Sequence, residues 1–313
     1  MKIRNLLLMS AALFCAASVP ANALSTHTWV SANGNDANSG TAVSPYADFA
    51  TAVANTAAGG TVSVLGPGDY GPVTITQSIT IDGTGGGSIN FAGDAEAIYI
   101  SAGANANIVL RNLSINGGGT GSDAIFIASA GTTNVINVLI DGCLIAGFAD
   151  IGVGLGSESP MYVVVKNTSI QGGELGVRTF QNGTTAPVTL NDHVSLDHVT
   201  IQGATVNAVF TRNGTLDISN SLLAQTIGTG AVAVQADTYA TLSVVNSTLT
   251  QNTNAVCSYT NSTIRLADNF IFDNDTGLEA CGGTIATNGN NVKGGNPGTG
   301  GTATTPNSTL VTE

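Results

Sequence analysis

The sequence predicts an all-β fold, a right-handed parallel β-helix (a single-stranded solenoid) with a short N-terminal capping helix. Three observations predict it. A short apolar unit recurs along the chain, strand-like alternation precedes each recurrence, and a residue tolerant of left-handed backbone stands at a fixed offset before each one.

At the N-terminus, Lys2 and Arg4 precede an apolar stretch, Leu6 to Ala17, that is too short to span a bilayer. Ala21-Asn22-Ala23 then offers small residues at a cleavage point, so residues 1–23 read as a secretory signal peptide. Bulky Phe14 before Cys15 argues against a lipid anchor. The expected location is secreted, periplasmic or cell-surface, with no membrane insertion. Removing Lys2 and Arg4 leaves six basic residues against twenty acidic ones, a net charge of −14. Such a surface argues against nucleic acid and anionic membranes, gives solubility and permits Ca²⁺.

Residues 24–72 are expected to form an N-terminal strand, a loop and the cap helix. Asp48 can cap that helix, which runs through Phe49 and Val53 and is expected to end at Gly59-Gly60. Such a helix suits the plug that the open end of a solenoid requires.

The coils are expected over residues 73–295. Ile115, Ile145, Ile170, Ile201, Leu223, Leu249 and Ile271 close similar units at separations of 30, 25, 31, 22, 26 and 22 residues. Before these anchors stand the alternating pairs Ile108/Leu110, Val138/Ile140, Val163/Val165, Val194/Leu196, Leu216/Ile218, Leu242/Val244 and Ile264/Leu266. A period of two sustained seven times is a strand signal. A further strand recurs as Ile98/Ile100, Ile125/Ile127, Val177/Thr179, Val209/Thr211 and Val232/Val234. Parallel crossovers favour one hand, which makes the helix right-handed. Three residues before each anchor lies Asn112, Gly142, Asn167, His198, Asn220, Asn246 or Asp268, a tight-turn position whose amides can bond from coil to coil. The Asn-x-Ser/Thr sequences follow from this ladder. Residues 296–313, rich in Gly, Thr and Asn, are expected to be a flexible tail.

Three cysteines remain after the signal, too few and too odd for a disulfide scaffold. Cys257 and Cys281 lie about one coil apart and could pair, although their strand offsets differ by two residues.

Trp29-Val-Ser-Ala-Asn-Gly-Asn-Asp-Ala-Asn-Ser-Gly-Thr41, then Pro45-Tyr-Ala-Asp-Phe49, Gly59-Gly-Thr-Val and Gly68-Asp-Tyr-Gly71 resemble the opening segment of secreted bacterial β-helix proteins of the pectin-lyase-like superfamily. The coils match only by repeat pattern. The resemblance implies the fold and leaves activity open, because that fold serves lyases, hydrolases, epimerases and adhesins. The clustered Asp pairs, Gly-His-Asp and Arg-x-Lys of polygalacturonase-like hydrolases are absent. A pectate lyase needs Ca²⁺-binding acids around an Arg or Lys base, and no dense acidic run surrounds any of the six basic residues.

If Val177 and Val209 point inward, alternation places Arg178, Phe180, Phe210 and Arg212 outward on adjacent coils, with Tyr99 and Phe126 in the equivalent position on earlier ones. These six residues form the candidate ligand-binding face for a sugar polymer. Arg178 or Arg212 beside Asp150 or Glu174 are the catalytic candidates. The structural alternative is an Arg/Phe stack covering a loop by cation–π contact. Asp192, His193, Asp197 and His198 form a second polar cluster, better read as turn residues than as acid/base or metal chemistry. Arg111, Asp141, Lys166 and Asp197 are expected to form an outward ion-pair ladder, beside an apolar strip of Val109, Leu139 and Val164 that a loop or the tail covers or that is a contact surface, the loop being favoured. Asp273-Asn-Asp-Thr-Gly277 and Asn33-Gly-Asn-Asp36 resemble fragments of Ca²⁺ loops without the full ligand spacing, so no metal site is expected.

The leading functional expectation is a secreted β-helix protein presenting a rigid face to an extracellular polysaccharide or surface component. The alternatives are a polysaccharide lyase of pectate-lyase type, using Ca²⁺ and an Arg base, and a structural or adhesive surface protein. The oligomeric state is left open.

Overall fold

Each turn of the chain lays down three strands and returns to lie beside where it began. The computed structural model describes residues 24–129, 135–157, 160–181, 192–298 and 308–309. One representative turn runs through Asn107–Arg111, Ser114–Gly121 and Asp123–Ser129, and re-enters the first sheet at Ile136–Asp141. Stacking of such turns builds a first sheet of twelve strands, a second of ten and a third of nine. The helix is thus the parallel solenoid that the repeat predicts.

The register agrees with the periodicity residue by residue. Ile115, Ile145, Ile170, Ile201, Leu223, Leu249 and Ile271 are successive rungs of the second sheet, extended to Ile89 at one end and Lys293 at the other. The first-sheet pairs stack in the same way, and their side chains are buried in one continuous core. In the third sheet one pair is displaced by two residues. Val232 stands opposite Asn207, so the partners of Val209 and Thr211 are Val234 and Ala236. Both registers bury apolar side chains, and alternation alone does not separate them.

All seven turn residues from Asn112 to Asp268 have positive φ, between 48° and 67°. On the outside of this turn, amides link coils: Asn246 Nδ2 donates to Asn220 Oδ1 and Asn220 Nδ2 to Asp197 Oδ1. Two further ladders lie inside the fold, unmarked by the turn pattern. Two residues before the anchors, Val199 N donates to Ser221 Oγ, Ser221 N to Ser247 Oγ, Ser247 N to Asn269 Oδ1 and Asn269 N to Asn291 Oδ1. Three residues after the anchors, Thr226 N donates to Asn252 Oδ1, Asn252 N to Asn274 Oδ1 and Asn274 N to Asn296 Oδ1. These side chains supply acceptors at corners where the backbone leaves one sheet for the next and its own ladder is interrupted.

Asp48 Oδ1 accepts from Thr51 N and caps the helix Phe49–Ala54, whose Phe49, Ala52 and Val53 are buried. The helix ends at Asn55 and not at Gly59-Gly60. Those glycines belong to the strand Thr56–Val64, which pairs with Ser25–Val30 through a bulge, and Gly59 supplies the left-handed residue there (φ 80°). Sheet pairing overrides the glycine stop signal. In the tail, Ser308–Thr309 adds to the first sheet beside Ala286 and Thr287, and residues 299–307 and 310–313 lie outside those described.

Cys257 and Cys281 form a disulfide. Cys257 is in register with Glu279, and left-handed backbone at Cys281 and Gly282 turns the chain back to close the two-residue offset. Cys143 is buried and free, and burial pushes its thiol up to about 11, which leaves it unreactive.

Candidate functional site

The third sheet presents its outward side chains from five consecutive coils as one face. Inward Val177 and Val209 are fully buried, so alternation turns Arg178, Phe180, Phe210 and Arg212 outward as the sequence implied. Tyr99 and Phe126 are in register and their rings lie 6.3 Å apart, 6° from parallel. On the next coil the outward positions are Gly154 and Gly156. A Cβ there would meet the Phe126 ring at 2.8 and 2.6 Å, so the glycines leave the room in which that ring lies flat along the sheet.

Arg178 faces Phe210 and Phe180 faces Arg212 across the next pair of strands. Both guanidinium groups lie over the Phe180 ring, at 5.8 and 5.4 Å from its centre. Arg212 Nε also pairs with Asp237 Oδ2 at 3.1 Å, in register one coil further on. That pairing orients Arg212 along the face. The cation–π stack of the structural alternative is therefore present, and it forms part of an open face.

A row of carboxylates borders the same face, where the chain enters the third sheet. Glu96 is in register with Asp123, Asp150 N donates to Ser122 O, and Glu174 N donates to Ala149 O, so the four acids belong to successive coils. Asp123 is 9% exposed and its Oδ1 has no hydrogen-bond partner. Burial, then the charge of Asp150, pushes its carboxyl up to about 6, against the Ile151 amide and Arg178, which lower it. Arg178 Nε is likewise buried and without a partner. Asp123 thus lies within electrostatic reach of Asp150 and of Arg178 on the neighbouring coils. Glu174 is exposed on the following coil.

Two solved structures are similar to this chain. Pectate lyase Pel9A matches at 12% identity and a TM-score of 0.55, over 90% of this chain and 79% of that one. The chain has the pectate lyase β-helix fold. A rhamnogalacturonan lyase matches at 13% identity and a TM-score of 0.48, over 83% and 75%. No family model and no curated protein matches the chain. At these identities the likeness establishes the β-helix alone.

Sequence reasoning missed Asp123 and Glu96 as members of the site. Asp123 stands two residues before inward Ile125, in a column that other coils fill with Glu96, Ile151, Leu175, Asn207, Val232, Asn254 and Thr276. That column takes polar and apolar residues alike, so the sequence pattern does not single Asp123 out; its burial does. Because the folded-state value of Asp123 lies above the ordinary 3.8, the stability it confers is complete below about pH 4 and lost as pH rises through about 6. Asp123→Asn is expected to leave stability unchanged near pH 4 and to raise it above pH 6 by about 1–2 kcal/mol, allowing for solvent screening. Thermal melts of both proteins across that range check this; a constant gap would show that Asp123 is ionised throughout.

The other clusters have structural places. Asp192 Oδ1 accepts from Met161 N, His193 stacks on Tyr162 and bonds Thr215 Oγ1, and His198 is a turn residue. Asp197 is held down to about 2, first by the Asn220 amide, then by His198 and Ser219. Of the expected ion-pair ladder only Lys166 to Asp141 forms; Arg111 turns to Asp82 on the preceding coil and Asp197 to His198. In the apolar strip Val164 is 37% exposed; residues 130–134, 158–159 and 182–191, on which the expected covering loop falls, lie outside those described. Asp36 accepts from Ala47 N and Asp48 N, and Asn274 belongs to a buried ladder, so both loop fragments have turn roles. Among the described residues no three His, Cys, Asp or Glu side chains converge as metal ligands. These side chains do not converge into the oxygen cage that Ca²⁺ takes.

Proposed function

We propose that the protein binds an extracellular polysaccharide lengthwise along the outward face of the third sheet. The observation that carries this reading is the run of Tyr99, Phe126, Phe180 and Phe210 with Arg178 and Arg212 on neighbouring coils. Aromatic rings offer flat apolar surface to the C–H faces of sugars, and guanidinium groups donate to their hydroxyls. A β-helix holds such groups about 4.8 Å apart on backbone already ordered by sheet pairing, so little conformational entropy is lost on binding. Export, on the signal-peptide reading of residues 1–23, would put this face where such polymers occur.

Removing Phe180 deletes a stacking surface and also the ring on which both arginines rest. Phe180→Ala is expected to weaken glycan binding by more than about tenfold, and Phe210→Ala by about tenfold. Titration calorimetry of each variant against the glycans the unaltered protein retains from a panel checks this. Undiminished affinity in both variants would remove the face from consideration, and no retention of any glycan would favour a structural or adhesive role.

A second reading, polysaccharide lyase activity, has one observation in its favour. Arg178 Nε has no partner and Asp123 lies within its electrostatic reach, an arrangement in which a base and a charged neighbour share a site. Ultraviolet absorbance from unsaturated products, present with the unaltered protein and absent with Arg178→Ala, would establish it.

A further inference from the structure

Given the polysaccharide reading, on which this rests, we infer that Gln235 is a further binding residue of the face and that Asn207 holds its amide with the N–H donors outward. The group it takes is the acetyl carbonyl of an acetylated sugar. Gln235 stands in register with Phe210 and continues the outward column of Arg178 and Phe210 onto the next coil. It is half-buried there, and the rung beyond it, Cys257, is 1% exposed and bonded to Cys281. Gln235 therefore stands where the open run of the column meets the disulfide.

A backbone group sets the direction of this amide. Asn207 is 3% exposed, and its Nδ2 donates to Val232 O at 3.0 Å and to Gln235 Oε1 at 2.9 Å. Val232 O can only accept, so the Asn207 amide stands with its nitrogen on that side. Both of its hydrogens are then used, and the Gln235 atom that meets it has to be the oxygen. Gln235 Nε2, which has no hydrogen-bond partner among the described residues, is left to offer donors and no acceptor beside the Phe210 ring. Arg178 and Arg212 are donors as well, and Asp237, in register with Arg212, is taken up by it. A sugar hydroxyl placed against Gln235 leaves its own hydrogen without an acceptor, whereas a carbonyl oxygen only accepts and is fully matched. Gln235 is neutral and Asp237 offsets the Arg212 charge, so the fitting carbonyl is a neutral one, and the methyl of an acetyl group can lie on Phe210.

The test compares an N-acetylglucosamine oligomer with a glucose oligomer of equal length by titration calorimetry. The N-acetylated oligomer is expected to bind at least about tenfold tighter. Gln235→Glu keeps an inner oxygen for Asn207 and replaces the outward donors by an acceptor. It is expected to bring the two affinities within about twofold of each other, by loss on the N-acetylated side. Asn207→Asp turns the Gln235 amide round, because a carboxylate accepts from Nε2, and is expected to have the same effect from a position behind Gln235. Where Asn207→Asp fails to fold, Gln235→Glu decides alone. A preference that Gln235→Glu retains overturns the inference, and so does a loss shared equally by both oligomers, which marks a structural role. Equal binding of the two oligomers by the unaltered protein overturns it and leaves the polysaccharide reading standing. Failure of both to bind overturns it as well, and the glycan panel then decides the broader reading separately.

Discussion

Asn274→Leu is expected to destabilise the C-terminal coils by about 4 kcal/mol, although leucine matches asparagine in size and the site is 1% exposed. Asn274 Oδ1 accepts from Asn252 N and Asn252 Nδ2 at 3.0 and 2.8 Å. Its Nδ2 shares two hydrogens among Leu249 O, Phe272 O and Asn296 Oδ1 at 3.0, 2.9 and 2.9 Å. Removing the amide leaves buried groups on both neighbouring coils without partners, at about 1–3 kcal/mol each, partly offset by the apolar replacement. The exposed ladder supplies the control. Asn246→Gly keeps the left-handed turn, deletes one outer amide bond to Asn220, and is expected to cost under about 1 kcal/mol. Urea unfolding together with hydrogen exchange at the Asn252 and Asn274 amides separates the two cases. Similar small shifts in both variants would mean that the inner ladder contributes no more than the outer one.

Ile140→Ala is expected to cost about 2–5 kcal/mol, the range for a buried aliphatic truncated to alanine. Ile140 is fully buried and forms a rung between Leu110 and Val165, so the void opens between coils that the backbone ladder holds at fixed separation. The adjacent residue Leu139 belongs to the outward strip, and Leu139→Ala is expected to cost under about 1 kcal/mol. Denaturant midpoints of the pair test the inward and outward assignment directly. Equal losses would place the register one residue out.

Most of the fold was legible because a solenoid repeats its own evidence. Seven anchors, each with its alternating pair and its left-handed residue, agree on one register, and Asn112 to Asp268 carry the positive φ that this register requires. Legibility failed where pairing between distant segments decides. Gly59-Gly60 looks like a helix stop until Ser25–Val30 pairs with the strand containing it. The Val232 shift and the Cys257–Cys281 closure depend on left-handed turns, at Gly230 and at Cys281-Gly282, that change the effective length of a coil. The inner asparagines were hidden by neighbours of the same type: in Asp268-Asn269 one residue makes the turn and the next faces the interior.

The site was legible as a face and not as an electrostatic unit. Arg178, Phe180, Phe210 and Arg212 follow from alternation within one strand. The charged groups near them, Asp237 for Arg212 and Asp123 for Arg178, stand one or two coils away and become neighbours only once every intervening loop has been counted correctly.

The inner ladders carry one further consequence, for how such a gene can change. Asn252, Asn274 and Asn296 are spaced by 22 residues, as are Asn269 and Asn291, and each bonds to the next in the same way. A tandem duplication or deletion of 22 residues in this region would add or remove one whole coil and leave every surviving ladder in phase. The protein can therefore grow or shorten by recombination in units that fold as they arrive, and its length can drift between lineages while the aromatic and guanidinium groups on the third sheet stay unchanged.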